Sequence, residues 1–365
     1  VIAVSDTVRS MLTGSFVRYV QVQAWLGDQL LADDVPVSAG DEDTDRSIRV
    51  PERVTLTVPK RARGVDWTPT SDSSPLAAKG QTLKISLGVG IGPDGVEYFQ
   101  RGEFLISDTE ENTDGLSLTV TVVGLLALID EADFIAPFQP SGTIASTARS
   151  LVEPAVTLDL GMAPTDRAVP TSAVNFDSDR LQAFYDLLDA WPAVPRMNEG
   201  GYIEVLPDTV PTAADAVRSF TNGLGGTVVS ASGKSSRDGG FNTVVATGYA
   251  ADGTEIRSVA YVTSGPWAYP GGASNPLSVP FVYSSPLLTT AAQCLAAAVT
   301  VRNRKMRQAV LRTFVITAVP DPTLQVGDAV LVSTDYDTDL LCTVEAMGLP
   351  YFATGPMTLT VVSVS

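Results

Sequence analysis

The run Tyr19-Val20-Gln21-Val22-Gln23-Ala24-Trp25-Leu26-Gly27-Asp28 sets the fold class. Val20, Val22, Ala24 and Leu26 fall on one side of an extended chain and Tyr19, Gln21, Gln23 and Trp25 on the other, the period-2 pattern of a half-buried strand. Gly27-Asp28 supplies the tight turn that follows. Val54, Leu56 and Val58 repeat the alternation, as do Leu83, Ile85, Leu87 and Val89, and then Leu116, Leu118, Val120 and Val122. Residues 1–130 therefore read as a mostly antiparallel barrel or sandwich.

The texture changes after residue 130. Ser141 is placed to cap a helix with Ile144, Ala148 and Leu151 on one face and Pro154 as its stop. Asp177 or Ser178 caps a second helix, which carries Leu181, Phe184, Tyr185, Leu188 and Trp191 at helical spacing and ends at Pro192. Gly200-Gly201 followed by Tyr202 to Leu206 reads as a turn and a short strand. Residues 131–222 are expected to form a small inserted α/β unit. Strands resume at Thr227, and residues 242–247 and 255–262 read as a hairpin through Asp252-Gly253. A Gly/Pro-rich loop spans 265–280. Thr289 or Thr290 then caps the longest helical pattern, rich in alanine and running to about Arg307, and strands at 310–319, 328–333, 340–347 and 358–364 complete the pattern. Residues 223–365 are expected to be a second β-barrel-like domain with one long helix. There is no short-period repeat of solenoid type, but the two β-rich halves are compatible with related barrels that have diverged. The expected fold class is mainly β, two β-barrel-like domains with a small α/β insertion.

Composition narrows the chemistry. The 365 residues carry a formal charge of −17 and no histidine. Such a chain repels nucleic-acid phosphate and anionic lipid, so specific nucleic-acid recognition is not expected. Without histidine, Ser-His-Asp and Cys-His nucleophiles, His general bases and His-containing metal sites are all excluded. The two cysteines, Cys294 and Cys342, form no C-x-x-C pair, which argues against a zinc site or a disulfide scaffold. No apolar run approaches the ~20 residues that span a bilayer. Val1 to Asp6 is too short and unbalanced for a signal peptide, and a soluble chain made in a cytoplasm is expected.

The local motifs are weak. Gly90-Ile91-Gly92-Pro93-Asp94-Gly95 matches G-x-G-x-x-G, but Pro93-Asp94-Gly95 is turn chemistry and Val96 to Phe99 continues as strand, so a hairpin is expected where a dinucleotide site would need a helix. Gly233-Lys234-Ser235 lacks the first glycine of a P-loop, since Val228 stands there. Asp335, Asp337 and Asp339, and Asp41, Asp43 and Asp45, have the alternate spacing of calcium loops. In the first run Leu340 and Ala346 stand where an EF-hand reserves glycine and glutamate; the second has Glu52 at the twelfth position, but Arg46 at that of glycine. Both runs read as solvated loops. With 41 acidic residues, a glycosidase pair is conceivable, but no pair is singled out. No catalytic, cofactor or metal residue is assigned.

Two features point to contacts. Arg302, Arg304, Lys305 and Arg307 concentrate positive charge at the end of the long helix, where it matches the helix dipole and offers a docking patch for an acidic neighbour. Trp267 and Tyr269 in the Gly/Pro-rich loop are candidate interface anchors or plugs over a core.

The order of elements resembles the tail hub proteins of bacteriophages, the baseplate-hub or late-control type. Asp186-Leu187-Leu188-Asp189-Ala190 followed by Gly200-Gly201-Tyr202-Ile203-Glu204-Val205 is similar to that family's insert. Pro320 to Val330, with Gly327-Asp328 before a strand, is similar to its late segment. Gln21 to Trp25 and Gly80-Gln81-Thr82-Leu83 look like minor tail proteins of long-tailed actinobacterial phages. The resemblance implies a non-enzymatic virion protein of the tail tip, assembled in the host bacterial cytoplasm. It implies a homotrimeric ring in which two barrels per chain give pseudo-sixfold symmetry. The ring would join the tail tube, through a distal tail protein, to a central fibre or spike, and would pass the tape-measure protein and DNA. The competing expectations are a distal tail or receptor-binding component, and a polysaccharide-degrading glycosidase.

Overall fold

Alternation becomes structure first at Arg18–Leu26 (β1), where Val22 and Ala24 are fully buried and Tyr19 is exposed. Gly27, with φ +55°, turns the chain into β2 (Gln29–Ala32). The computed structural model describes all residues except 15, 93, 94, 114, 154, 171–173, 235–238, 251, 274–276, 310, 311, 336, 353, 354 and 365, and the side chains of 306–309. The first sheet unit continues with β3 (Ala39–Asp45), β4 (Glu52–Pro59), the short pair β5 (Arg61–Ala62) and β6 (Val65–Asp66), β7 (Gln81–Gly90), β8 (Val96–Glu111) and β9 (Ser117–Gly124). A short helix, α1 (Asp6–Met11), precedes it, capped by Ser5.

Helices and short strands follow: α2 (Leu126–Asp130), α3 (Ile144–Val152), β10 (Leu158–Asp159), α4 (Arg180–Ala190), β11 (Ala193–Met197) and β12 (Ile203–Pro207). The chain then makes β13 (Ala216–Thr221) and β14 (Val228–Lys234), leaves for β15 (Thr243–Tyr249), β16 (Glu255–Tyr261), β17 (Pro280–Ser284) and α5 (Ala291–Ala309), and returns as β18 (Thr313–Ala318), β19 (Ala329–Ser333), β20 (Leu340–Pro350) and β21 (Met357–Ser363). The caps lie beside the expected residues. Thr143 rather than Ser141 caps α3, through a reciprocal capping box with Ser146, and Asp179 rather than Asp177 or Ser178 caps α4. Thr290 accepts from the Gln293 amide at the start of α5. Leu116 is exposed and precedes β9.

The fold is mainly β. One sheet runs β14-β18-β21-β20-β3-β4-β9-β8-β7-β1-β2, and β19 pairs with β20 and carries β13. It contains two copies of one five-strand pattern in the same chain order, β3, β4, β7, β8, β9 and β14, β18, β19, β20, β21. The registers agree residue for residue. Ile106 faces Val122 and Leu56 faces Val120 in the first copy; Val344 faces Val361 and Ile316 faces Leu359 in the second. A β-bulge interrupts β8 between Ile106 and Asp108, and β20 at the equivalent place between Val344 and Ala346. The matching inward positions, among them Val54/Phe314, Leu56/Ile316, Leu83/Val330, Val120/Leu359 and Val122/Val361, all lie in one hydrophobic core. Burying each such side chain contributes about 1.5–3 kcal/mol.

A second core gathers α2, α3, α4 and the β10-β12-β11 sheet together with the β16-β15-β17 sheet and α5. It thus draws on residues from both the 131–222 and the 223–365 segments. Gly90 ends β7 and Val96 begins β8, and the two strands pair antiparallel, as the hairpin reading of the glycine motif requires; its Pro93 and Asp94 lie outside the described residues. Among the described residues, no helix is long and apolar enough to cross a membrane.

Candidate functional site

The joint between the two sheet units is where the chain concentrates its buried charge. After its bulge β20 leaves β19 and pairs antiparallel with β3: Ala346 faces Asp45, Gly348 faces Asp43, Leu349 faces Glu42 and Pro350 faces Asp41. This corrects the expectation of a solvated loop at Asp41, Asp43 and Asp45. They alternate along a strand with Gly40, Glu42 and Thr44, which are buried. Aspartate disfavours strands, and here ladders with β4 on one side and β20 on the other override that preference. Burial, then Asp41 and Glu42, raise the Asp43 carboxyl above its ordinary range.

Glu42 is held from three directions. The Arg101 guanidinium grips it with Nε to Oε2 at 2.8 Å and Nη2 to Oε1 at 2.7 Å, both side chains being at most 4% exposed. The Tyr351 hydroxyl donates to Oε2 at 2.9 Å and the Thr44 hydroxyl to Oε1 at 3.2 Å. Arg101 also donates to the Leu324 carbonyl at 2.7 Å. The cluster therefore ties β8 and β3 of the first unit to β20 and the segment before β19 of the second. Gly40 makes room for it: a Cβ there would lie 3.1 Å from the Tyr351 ring, and the Tyr351 amide donates to the Gly40 carbonyl at 2.8 Å.

Beside this pair lies a cavity of about 40 Å³ lined by Glu42, Glu52, Arg101, Arg196 and Asn198, among others. The Glu52 Oε2 is sealed from solvent and, among the described residues, has no hydrogen-bond donor. Burial first, and Glu42 second, push its carboxyl up to about 7. A Cβ at Gly124 would lie 2.2 Å from that oxygen, so the carboxyl fits only over a glycine. The cavity is too small for a sugar ring, and Glu42 is already occupied, so these two acids do not form a glycosidase pair. A larger groove of about 340 Å³ lies between β11, β12, β13 and β19. Of its acids, Asp208 holds Arg304, Asp215 accepts from Thr212, and Asp328 accepts from the Gln325 amide.

Of the residues expected to make contacts, Arg302 and Tyr269 both reach Tyr261, whereas Arg304 is engaged within the chain. Arg304 turns inward: it donates to Asp208 at 2.8 Å and pairs with Asp189, fastening α5 to α4 and the end of β12. Arg302 donates to the Tyr261 carbonyl at 2.9 Å, and the Lys305 ammonium sits 5.6 Å from the Phe281 ring. The side chain of Arg307 lies outside the described residues. Trp267 and Tyr269 are half-buried, and the Tyr269 ring lies 5.6 Å from that of Tyr261. In the other acidic run Asp335 accepts from Asn222, Asp337 pairs with Arg312 and Asp339 accepts from Ser333. Among the described residues, no group of three or more Cys, Asp or Glu is placed to hold a metal ion. Sequence reasoning missed Glu42 and Arg101 and met Glu52 only as the twelfth position of a calcium loop, although one signal was present: Glu42 and Thr44 alternate with the aspartates as inward residues of a strand would.

No family model matches the chain, and no curated protein matches it. Solved structures do. A tail protein of Neisseria meningitidis is 12% identical, with 94% of this chain and 96% of that chain covered and a TM-score of 0.65. The 43 kDa tail protein of prophage MuSo2 from Shewanella oneidensis is 11% identical, covers 94% and 98%, and has a TM-score of 0.60. Prophage tail protein gp18 of Listeria monocytogenes is 10% identical, covers 94% of each chain, and has a TM-score of 0.58. At these identities the likeness is one of fold, and over nearly its whole length this chain has the fold of phage tail proteins.

Proposed function

We propose that the protein is the tail hub of a phage, a structural component at the tail tip. Three copies form a ring that joins the tail tube and distal tail protein to a central fibre or spike and leaves a bore for the tape-measure protein and DNA. The observation that carries this reading is the doubled five-strand pattern: one chain presents two equivalent units already joined edge to edge, so three chains offer six. The likeness to tail proteins supports the same reading. The actinobacterial host, the three-part division at residues 130 and 222, and contacts through Trp267, Tyr269, Arg302, Lys305 and Arg307 belong to the proposal as well. The protein acts by geometry, mating unlike symmetries, and a net charge of −17 keeps it from gripping DNA that must slide through.

Light scattering behind a sizing column tests it. A trimer, or a monomer that assembles on tail-tube protein into rings visible by electron microscopy, is expected. A strict monomer that ignores tail proteins and clears host glycan overturns the proposal in favour of an enzyme.

A further inference from the structure

Each half of the internal joint has a counterpart elsewhere in the sheet that is unpaired among the described residues. In the second unit, β20 runs past its bulge and pairs with β3. In the first, the equivalent strand β8 runs past its equivalent bulge as Asp108 to Glu111, pairs with β9 on one side, and among the described residues has no main-chain partner on the other. The strand equivalent to β3 is β14, since Asp41 faces Thr55 as Ser232 faces Val315, and Thr55 and Val315 are themselves equivalent. Among the described residues β14 pairs only with β18, and most of its residues are exposed. The internal joint thus uses the far half of one long strand and the outer edge of a β3-type strand, and each of those surfaces recurs once, unpaired among the described residues.

We propose that Gly233 and Lys234 of β14 in one copy pair antiparallel with Glu111 and Glu110, at the end of β8, in a second copy of this chain, in the register of the internal joint. The proposal rests on the ring reading above and names the surfaces that close the ring. Transferring the register of Gly348 opposite Asp43 and Leu349 opposite Glu42 places Glu110 opposite Lys234 and Glu111 opposite Gly233. The charges then complement each other. Asp108 and Glu110 are exposed acids on one edge, where Glu111 is paired with Lys60, and Lys234 is the exposed base on the other. Opposite charges on facing strands favour that register, and like charges would oppose pairing of either edge with itself. The contact joins unlike surfaces, so it propagates from copy to copy and closes when the rotation allows. Unpaired edge strands otherwise invite uncontrolled association, and this pairing occupies both.

The test is a cysteine pair, Glu110→Cys with Lys234→Cys, in the full chain. The native Cys294 and Cys342 are buried, and burial pushes the Cys342 thiol up to about 12, so neither competes. Facing residues of antiparallel strands lie about 4.5–5.5 Å apart at Cα, within disulfide range. Oxidation of the double variant should give a covalent ladder that stops at the size of the native ring, with neither single variant cross-linking. Lys234→Glu should lose the ring at concentrations where the parent assembles, and Glu110→Lys in the same chain should restore it. An oligomer that forms without cross-linking, or a single variant that cross-links to itself, overturns this contact and leaves the ring reading standing. A chain that is monomeric alone and with tail-tube protein overturns both.

Discussion

The two sheet units share a frame and differ at the joint. Inward positions match in kind: Leu56 and Ile316, Leu118 and Met357, Ile85 and Val332 all lie in the common core. The residues that lock the joint do not. In the second unit the registers assign Gly233 to the place of Glu42, Arg312 to that of Glu52, Asp339 to that of Arg101 and Ser363 to that of Gly124. Apolar alternation is what a unit needs to form, whereas the buried ion pair is local to the one place where units meet inside a chain. The loops differ likewise. β3 returns to β4 by a short turn, but between β14 and β18 the chain builds β15, β16, β17 and α5, which complete the second core.

The sharpest way to break the comparison is Arg101→Ala. It leaves Glu42 buried and charged opposite Tyr351, and removing one partner of a buried pair costs about 3–5 kcal/mol. Chemical denaturation should read that loss. Asp339→Asn, at the equivalent exposed position, keeps a side chain that tolerates the φ of +50° and still accepts from Ser333, and should change stability by less than about 0.5 kcal/mol. Equal losses at the two positions would mean that the joint is not special.

Glu52→Gln tests the joint through pH. The folded Glu52 carboxyl titrates near 7, against an ordinary value of 4.5, because burial disfavours its charge. Folding therefore takes up a proton between those values. The stability that this supplies is complete below pH ~4.5 and is lost as the pH rises through 7, a change of about 3 kcal/mol. Thermal melts of the glutamine variant should lack this fall and should exceed the parent above pH 7. A parent and variant with parallel pH profiles would place the Glu52 carboxyl in water.

How far these features were legible in the sequence depends on what fixes each one. The alternation of Val20, Val22 and Ala24 is read within one strand, and so is the helical spacing of Leu181, Phe184 and Leu188; both appear as read. Caps moved by one or two residues because Ser141 and Thr143, or Asp177, Ser178 and Asp179, are chemically equivalent candidates, and only the backbone of the following turn selects among them. β3 left only the alternation of Glu42 and Thr44 as a mark, because its acids are held as a strand by Arg101, far along the chain, and by a neighbour contributed by β20. Period 2 shows which face of a strand is buried but not which sheet it joins, so β15, β16 and β17 carried no mark of belonging to the second core.

Gly124→Ala asks whether the cavity is as tight as its distances say. The new Cβ meets the Glu52 carboxylate, and overpacking of this kind costs about 1–3 kcal/mol. Glu52→Ala removes the obstacle, so the double variant should recover most of the loss, a coupling that a double-mutant cycle reads directly. Additive losses would show that Gly124 is required for its backbone and not for the carboxyl above it.

The smallest effect concerns the second core. Thr143 accepts from the Ser146 amide, and the Ser146 hydroxyl accepts from the Thr143 amide, at the exposed start of α3. Thr143→Ala removes one half of that box and should cost about 1 kcal/mol. The sheet joint and α3 are built into different cores, with Leu349 and Tyr351 in one and Ile144, Ala148 and Leu151 in the other. Hydrogen exchange should therefore lose protection along α3 while the β20–β3 ladder stays protected, because a local opening of α3 does not require the joint to part. Equal loss in both would make the two cores one cooperative unit, and the insert would then be a strut of the joint instead of a body carried beside it.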